Sequence, residues 1–171
     1  MEELLALLNT SPVVHGVTRD ELADPTRGRR WTKEHGGTGT LAELAQVRRT
    51  RDALQDVVRG DRTALALAPM LKGVHQKPEI GPDGLAWVLV SEPDSRLAVR
   101  MILAWASTEE QLPGRLRPCE NDECRLFLLD RSRANRARWC SMAVCGNRQK
   151  ARRHYERHHS SPAARGPAAR G

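Results

Sequence analysis

The sequence predicts a mostly α-helical region with one small β-hairpin over residues 1–110, then a compact cysteine-anchored module over 117–159 that ends in a basic helix. Three observations predict this. Apolar residues in the first part recur at helical spacing between recognisable caps. All four cysteines, Cys119, Cys124, Cys140 and Cys145, fall in the last third of the chain. The charge divides as the cysteines do: residues 1–112 hold 14 Lys+Arg against 16 Asp+Glu, and residues 113–171 hold 14 against 5, within a net charge of +7.

Each element can be justified in turn. Glu3 to Leu8 reads as a short amphipathic helix stopped by Asn9-Thr10-Ser11-Pro12. Thr18-Arg-Asp-Glu21 matches a capping box and predicts a second helix. Asp24-Pro25 predicts a helix start, with proline at the first helical position, running past Trp31 to about His35-Gly36-Gly37. Thr40-Leu-Ala-Glu43 is a further capping box, and Leu41, Leu44, Ala45, Val47, Leu54, Val57 and Val58 fit one face of a helix that Gly60 closes. Asp61 is placed to cap another over Leu65–Leu71, ending at Gly73. The period then changes. Pro78–Gly84 is turn chemistry and Leu85–Val90 leans to β, which predicts the hairpin. Asp94 or Ser95 would cap a last helix through Leu97, Met101, Ile102 and Trp105. A linker is expected over 111–116 and a disordered tail over 160–171, which has little to bury.

The cysteine spacing is C-x4-C, fifteen residues, C-x4-C. Two close pairs across a short bridge suit one tetrahedral Zn²⁺, with two thiolates from each pair. Neighbouring arginines would offset the net charge of −2 that four thiolates leave on the metal. In the bridge, Arg125–Asp130 would form one arm of a hairpin, and Trp139 would be the large hydrophobe of a tiny core. Ser141 would cap a helix over about Met142–His158. The result would be a treble-clef-like zinc finger. Scattered core cysteines would show no special spacing, and a redox dithiol would show C-x-x-C.

From Arg131 to Arg157 there are nine Lys+Arg and one acid, Glu156. Positive charge this dense calls for a polyanion. The expected partner is double-stranded DNA, contacted by Arg131, Arg133, Arg136, Arg138, Asn147, Arg148, Lys150, Arg152, Arg153 and Arg157. Few aromatics are available for stacking unpaired bases, which disfavours RNA. An RNA-binding or protein-interaction zinc module without sequence-specific DNA binding is the alternative. An enzyme is not expected: His15, His35 and His75 lack ligand spacing, and no G-x-S-x-G or phosphate loop is present. The opening Met1-Glu2-Glu3 does not resemble a secretory signal, and no apolar run approaches the roughly 20 residues of a membrane span. A cytoplasmic, nucleoid-associated protein without membrane contact is therefore expected.

At these residues the chain resembles the CGNR-type zinc finger family. The tetrad is Cys145-Gly146-Asn147-Arg148. Around it stand Arg117, Cys119, Cys124, Phe127-Leu128, Asp130, Ser132, Arg138–Met142 and Lys150–Arg153. Such fingers follow a helical ABATE-like domain of stress-linked transcription regulators, which Leu7–Thr10 and Trp31 resemble. Ala6 departs from the family's usual Asp. The resemblance implies a bacterial transcription regulator with one structural zinc. Its N-terminal domain would sense a small-molecule effector or dimerise, and RNA polymerase or a second copy would be its protein partners. Asn9, Thr10, His15, Arg27 and Trp31 are candidates for lining an effector pocket.

Overall fold

The computed structural model describes residues 1–14, 16–121 and 123–159. The predicted 160–171 tail and His15 lie outside the described residues. Helix α1 (Glu2–Leu8) has two acids in its first turn, which suit the positive end of the helix dipole, and buries Leu4, Leu7 and Leu8. Strands β1 (Val13–Val14) and β2 (Val17–Thr18) pair antiparallel behind it.

Thr18–Glu21 therefore does not open a helix. The Asp20 carboxylate accepts from Leu22 N at 2.9 Å and from the buried Arg51 guanidinium at 2.6 and 3.0 Å. Glu21 N, the donor that a Thr18 cap would satisfy, instead donates to Thr10 O at 2.8 Å, and the Asp20–Arg51 pair holds the segment against α3. The helix starts at Asp24 instead, whose carboxylate accepts from Arg27 N at 2.8 Å, and α2 runs Pro25–Glu34.

Helix α3 (Leu41–Arg59) is the central element. Thr40 Oγ1 caps it by accepting from Glu43 N at 3.0 Å, and Gly60 closes it at φ 82°. The box is not reciprocal. The buried Glu43 carboxylate accepts from Thr38 N (2.9 Å) and Gly39 N (2.7 Å), so it fixes the α2–α3 loop rather than the cap residue. The predicted Leu65–Leu71 helix is a 3-10 segment over Ala64–Leu71 with Thr63, not Asp61, at its N-terminus; Pro69 inside it removes a backbone donor.

Strands β3 (His75–Gly81) and β4 (Gly84–Val90) form the predicted hairpin, with β3 continuing through Pro78 and the turn reduced to Pro82-Asp83. Helix α4 (Arg96–Gln111) follows. Ser95 precedes it without a side-chain cap, and Asp94 instead accepts from the Thr38 and Thr40 hydroxyls at 2.9 and 2.8 Å. That ties the start of α4 to the start of α3.

Strands β5 (Leu116–Pro118) and β6 (Phe127–Leu129) make a third two-stranded sheet. Leu116, at the end of the predicted linker, is buried in β5. Leu116 and Phe127 lie in one hydrophobic cluster with Leu4, Leu7, Leu8, Leu44, Val47, Leu54, Leu97, Met101 and Ile102. Arg59 lies over the Phe127 ring at 4.4 Å, and Asn9 brackets Phe127, accepting from its N (2.7 Å) and donating to its O (3.2 Å). Among the described residues, no helix is long and apolar enough to cross a membrane.

Candidate metal centre and nucleic-acid interface

The four cysteines come from two segments, a loop and the start of a helix. Cys119 and Cys124 lie in the connection between β5 and β6, which is drawn tight by Cys119 N donating to Leu126 O (2.8 Å) and Cys124 N to Asn121 O (2.7 Å). The β-arm predicted over 125–130 therefore pairs back with residues before the first cysteine, not within the bridge. Cys140 and Cys145 flank Ser141, whose hydroxyl accepts from Val144 N at 3.3 Å. One π-helical turn, Met142–Gly146, leads into α5 (Asn147–His159). Ser141 thus caps as expected, but its first turn is widened: Cys145 N and Gly146 N both donate to Ser141 O, at 2.9 and 3.0 Å. A Cβ at Gly146 would sit 2.9 Å from the end of the exposed Met142 side chain and 3.2 Å from Trp139 Cδ1, so a larger residue there would displace the Met142 thioether. Trp139 is only half-buried, under the Arg138 guanidinium at 4.9 Å. The large buried hydrophobe of the finger is Phe127, and it serves the shared core.

The four sulfurs all lie within 4.8 Å of one another, with Cys124–Cys140 and Cys140–Cys145 at 3.7 Å. A tetrahedral Zn²⁺ with bonds of about 2.3 Å sets its sulfurs about 3.8 Å apart, so the donor set fits one structural zinc. Two N–H groups already point at sulfur: Cys140 N at Cys119 Sγ and the buried Asn121 Nδ2 at Cys145 Sγ, each 3.5 Å. Such outer hydrogen bonds orient thiolate ligands and spread their charge. Burial pushes the Cys124 thiol up to about 11. Burial and the neighbouring thiols also raise Cys140, while at Cys145 the hydrogen bonds from Asn121 and the other thiols outweigh burial and lower it. Cys124 and Cys140 thus resist ionisation until a cation takes the place of their protons.

Around the centre the predicted contact residues form two groups. Arg131, Arg133, Arg136 and Arg138 are exposed on the loop after β6. That loop is organised by Asp130, which is 1% exposed. Its carboxylate accepts from Ser132 N (2.8 Å), Ala137 N (2.7 Å) and Arg117 Nη2 (2.5 Å), while Arg117 also donates to Ala137 O and Asn135 Oδ1 at 3.1 Å each. The Ser132 side-chain hydrogen bond, the two backbone N–H groups and the Arg117 charge overcome burial and hold Asp130 at about 2. The second group, Asn147, Arg148, Lys150, Arg152, Arg153 and Arg157, is exposed on α5. Gln149 faces inward and donates to Asn121 Oδ1 at 3.4 Å, docking the helix on the cysteine loop. Several cations have acidic neighbours: Arg131 with Glu2 (3.3 Å), Arg138 with Glu120 (2.5 Å), Arg148 with Glu123 (3.5 Å) and Arg152 with Glu156 (3.3 Å).

The candidate effector residues are distributed differently. Asn9 brackets β6 as described. Thr10 is buried, donating to Leu7 O (2.8 Å) and accepting from Arg51 (3.2 Å). Arg27 is exposed beside Asp24 at 3.8 Å, and Trp31 stacks on His35 with ring centroids 3.8 Å apart. Asn9 and Thr10 meet α3 and β6, whereas Arg27 and Trp31 belong to α2. Sequence reasoning missed Asn121, Asp130 and Arg117 as organisers of the site. Asp130 and Arg117 stood in the motif without a role, and a lone Asn between two cysteines gave no signal.

Fold and site define a helical domain carrying a C-terminal four-cysteine zinc finger. Residues 4–109 match the ABATE family, described as a putative stress-induced transcription regulator, and residues 115–158 match the CGNR zinc finger. The chain belongs to the ABATE family, with a CGNR finger following the family domain. No curated protein matches it at a significant level.

Proposed function

We propose that this chain is a DNA-binding transcription regulator that grips double-stranded DNA with its zinc-rooted finger. The observation that carries the reading is the seating of two exposed cationic segments beside one four-cysteine centre. The Arg131–Arg138 loop is held by buried Asp130, and α5 is held by Cys145 and Gln149. Lys150, Arg153 and Arg157 on α5 would neutralise phosphates. Asn147 and Arg148, at its N-terminal end, would reach base edges in a major groove wide enough for a helix. The acidic neighbours of Arg131, Arg138, Arg148 and Arg152 are themselves exposed, so DNA can displace them at small cost. Such a protein would work in the cytoplasm, at the nucleoid.

For residues 1–110, dimerisation is the role we favour over effector sensing. Asn9 and Thr10 spend their polar atoms on internal hydrogen bonds, and Trp31 is stacked on His35. Binding to a duplex of genomic sequence, measured against salt, tests the DNA reading. Replacing Lys150, Arg153 and Arg157 together by Ala should flatten the log–log salt slope by about 2.7, at about 0.9 per phosphate contact. An unchanged slope and affinity would remove α5 from the interface.

A further inference from the structure

The β3–β4 hairpin is the largest feature that neither the core nor the finger uses. Every residue of β3 and the first four of β4 are exposed. Register pairs Pro78 with Trp87 and Ile80 with Leu85, so Pro78, Ile80, Leu85, Trp87 and Leu89 share one face. On that face Ile80 is 82% exposed, Trp87 62% and Leu85 60%. A lone two-stranded ribbon is marginally stable, and a third or fourth strand is the usual remedy.

The two free edges of the ribbon differ. The outer edge of β3 carries Pro78, which has no N–H to offer, and the Lys77–Glu79 ion pair at 2.6 Å. These are the devices that keep an edge from recruiting another strand. The outer edge of β4 has none of them: Leu85-Ala-Trp-Val-Leu-Val90 contains neither charge nor proline. Its main-chain groups on that side lack strand partners among the described residues. A strand edge without charge or proline is a ready template for another strand.

We propose that β4 pairs antiparallel with β4 of a second copy of this chain, joining two hairpins into a four-stranded sheet across a two-fold axis. The run is complementary to itself. A two-fold normal to the sheet keeps the Trp87 face of both copies on the same side and sets apolar against apolar along the seam. Centred on Trp87, the seam opposes Trp87 to its counterpart and Leu85 to the counterpart of Leu89. Only main-chain bonds and an uncharged seam are used, so salt should not weaken the dimer. The pairing involves no finger residue and stands whether or not the finger binds DNA.

Sedimentation equilibrium of the full zinc-loaded chain, without DNA, tests it. The expected species is twice the 19.1 kDa chain mass. Leu85→Lys with Trp87→Lys should weaken association at least about hundredfold by placing charges in the seam. Both side chains are exposed, so zinc content and the helical circular dichroism should be unchanged. Lys77→Ala with Glu79→Ala, on the guarded edge of β3, should leave the dimer intact. A wild-type chain that stays monomeric up to about 100 µM would overturn the proposal. So would a dimer that survives the double lysine change, or one that is lost on the β3 edge change.

Discussion

Asp130 does more for the finger than its place in the sequence suggests. It is buried, its oxygens are taken by Ser132, Ala137 and Arg117, and through them it sets the path of a loop that presents four arginines. Asp130→Asn should lower the melting temperature of the zinc-loaded chain, because the amide turns donors toward Ala137 N or Arg117. The sign with pH follows from the depressed value of about 2. The carboxylate's stabilisation is fully present above its ordinary unfolded value of about 3.9 and is lost only as pH falls toward 2. The gap in melting temperature between wild type and variant should therefore stay flat from pH 8 to pH 5. A gap that closes across that range would show that Asp130 is not held as described. The cysteines were legible because metal geometry demands a particular spacing. Asp130 was not, since a carboxylate's value lies in the donors that the fold brings to it.

Helix caps show where local chemistry decides an element and where it yields. Thr40-Leu-Ala-Glu43 and Thr18-Arg-Asp-Glu21 have the same form, yet only the first opens a helix. After Thr40 an apolar stripe continues for five turns and buries Leu44, Val47 and Leu54. After Thr18 only Leu22 is buried before Asp24-Pro25 starts a better-founded helix. Thr40→Ala should cost about 1 kcal/mol in chemical denaturation, the usual value of an N-cap. Thr18→Ala should cost under about 0.5 kcal/mol, as for an ordinary exposed position. Equal losses would contradict the difference in structure. Pro69 lies inside the helix expected over Leu65–Leu71, removes one of its backbone donors, and the segment forms a 3-10 helix that buries Leu67.

Over the whole molecule, the charge boundary near residue 112 was visible in the sequence, but the sharing of one core across it was not. Phe127, the sequence's one phenylalanine, is 1% exposed and packs with leucines of α1, α3 and α4. The β-leaning run over 125–130 and the family motif assigned it to the finger, and only the tertiary fold shows which core it enters. Phe127→Ala should cost about 3–5 kcal/mol, the range for emptying a packed aromatic site. Calorimetry should show the helical domain and the zinc centre melting together in the wild type, and stripping the zinc with a chelator should lower that transition. Two separate transitions, with the helical one indifferent to zinc, would contradict a common core.

Asn9 meets that same residue through its backbone. Its side-chain amide offers one acceptor and one donor to Phe127 N and O, the pair that a neighbouring peptide group would offer. A single side chain thus stands in for a third strand beside β6. Because it reads main chain, this joint is indifferent to the identity of residue 127, beyond the need for an apolar group to enter the core. Beside the shared core and the Arg59 contacts with Phe127 and Arg125 O, this helix-end asparagine gives the union of the two family segments a sequence-independent joint, one open to other fingers whose second strand arrives at the same place.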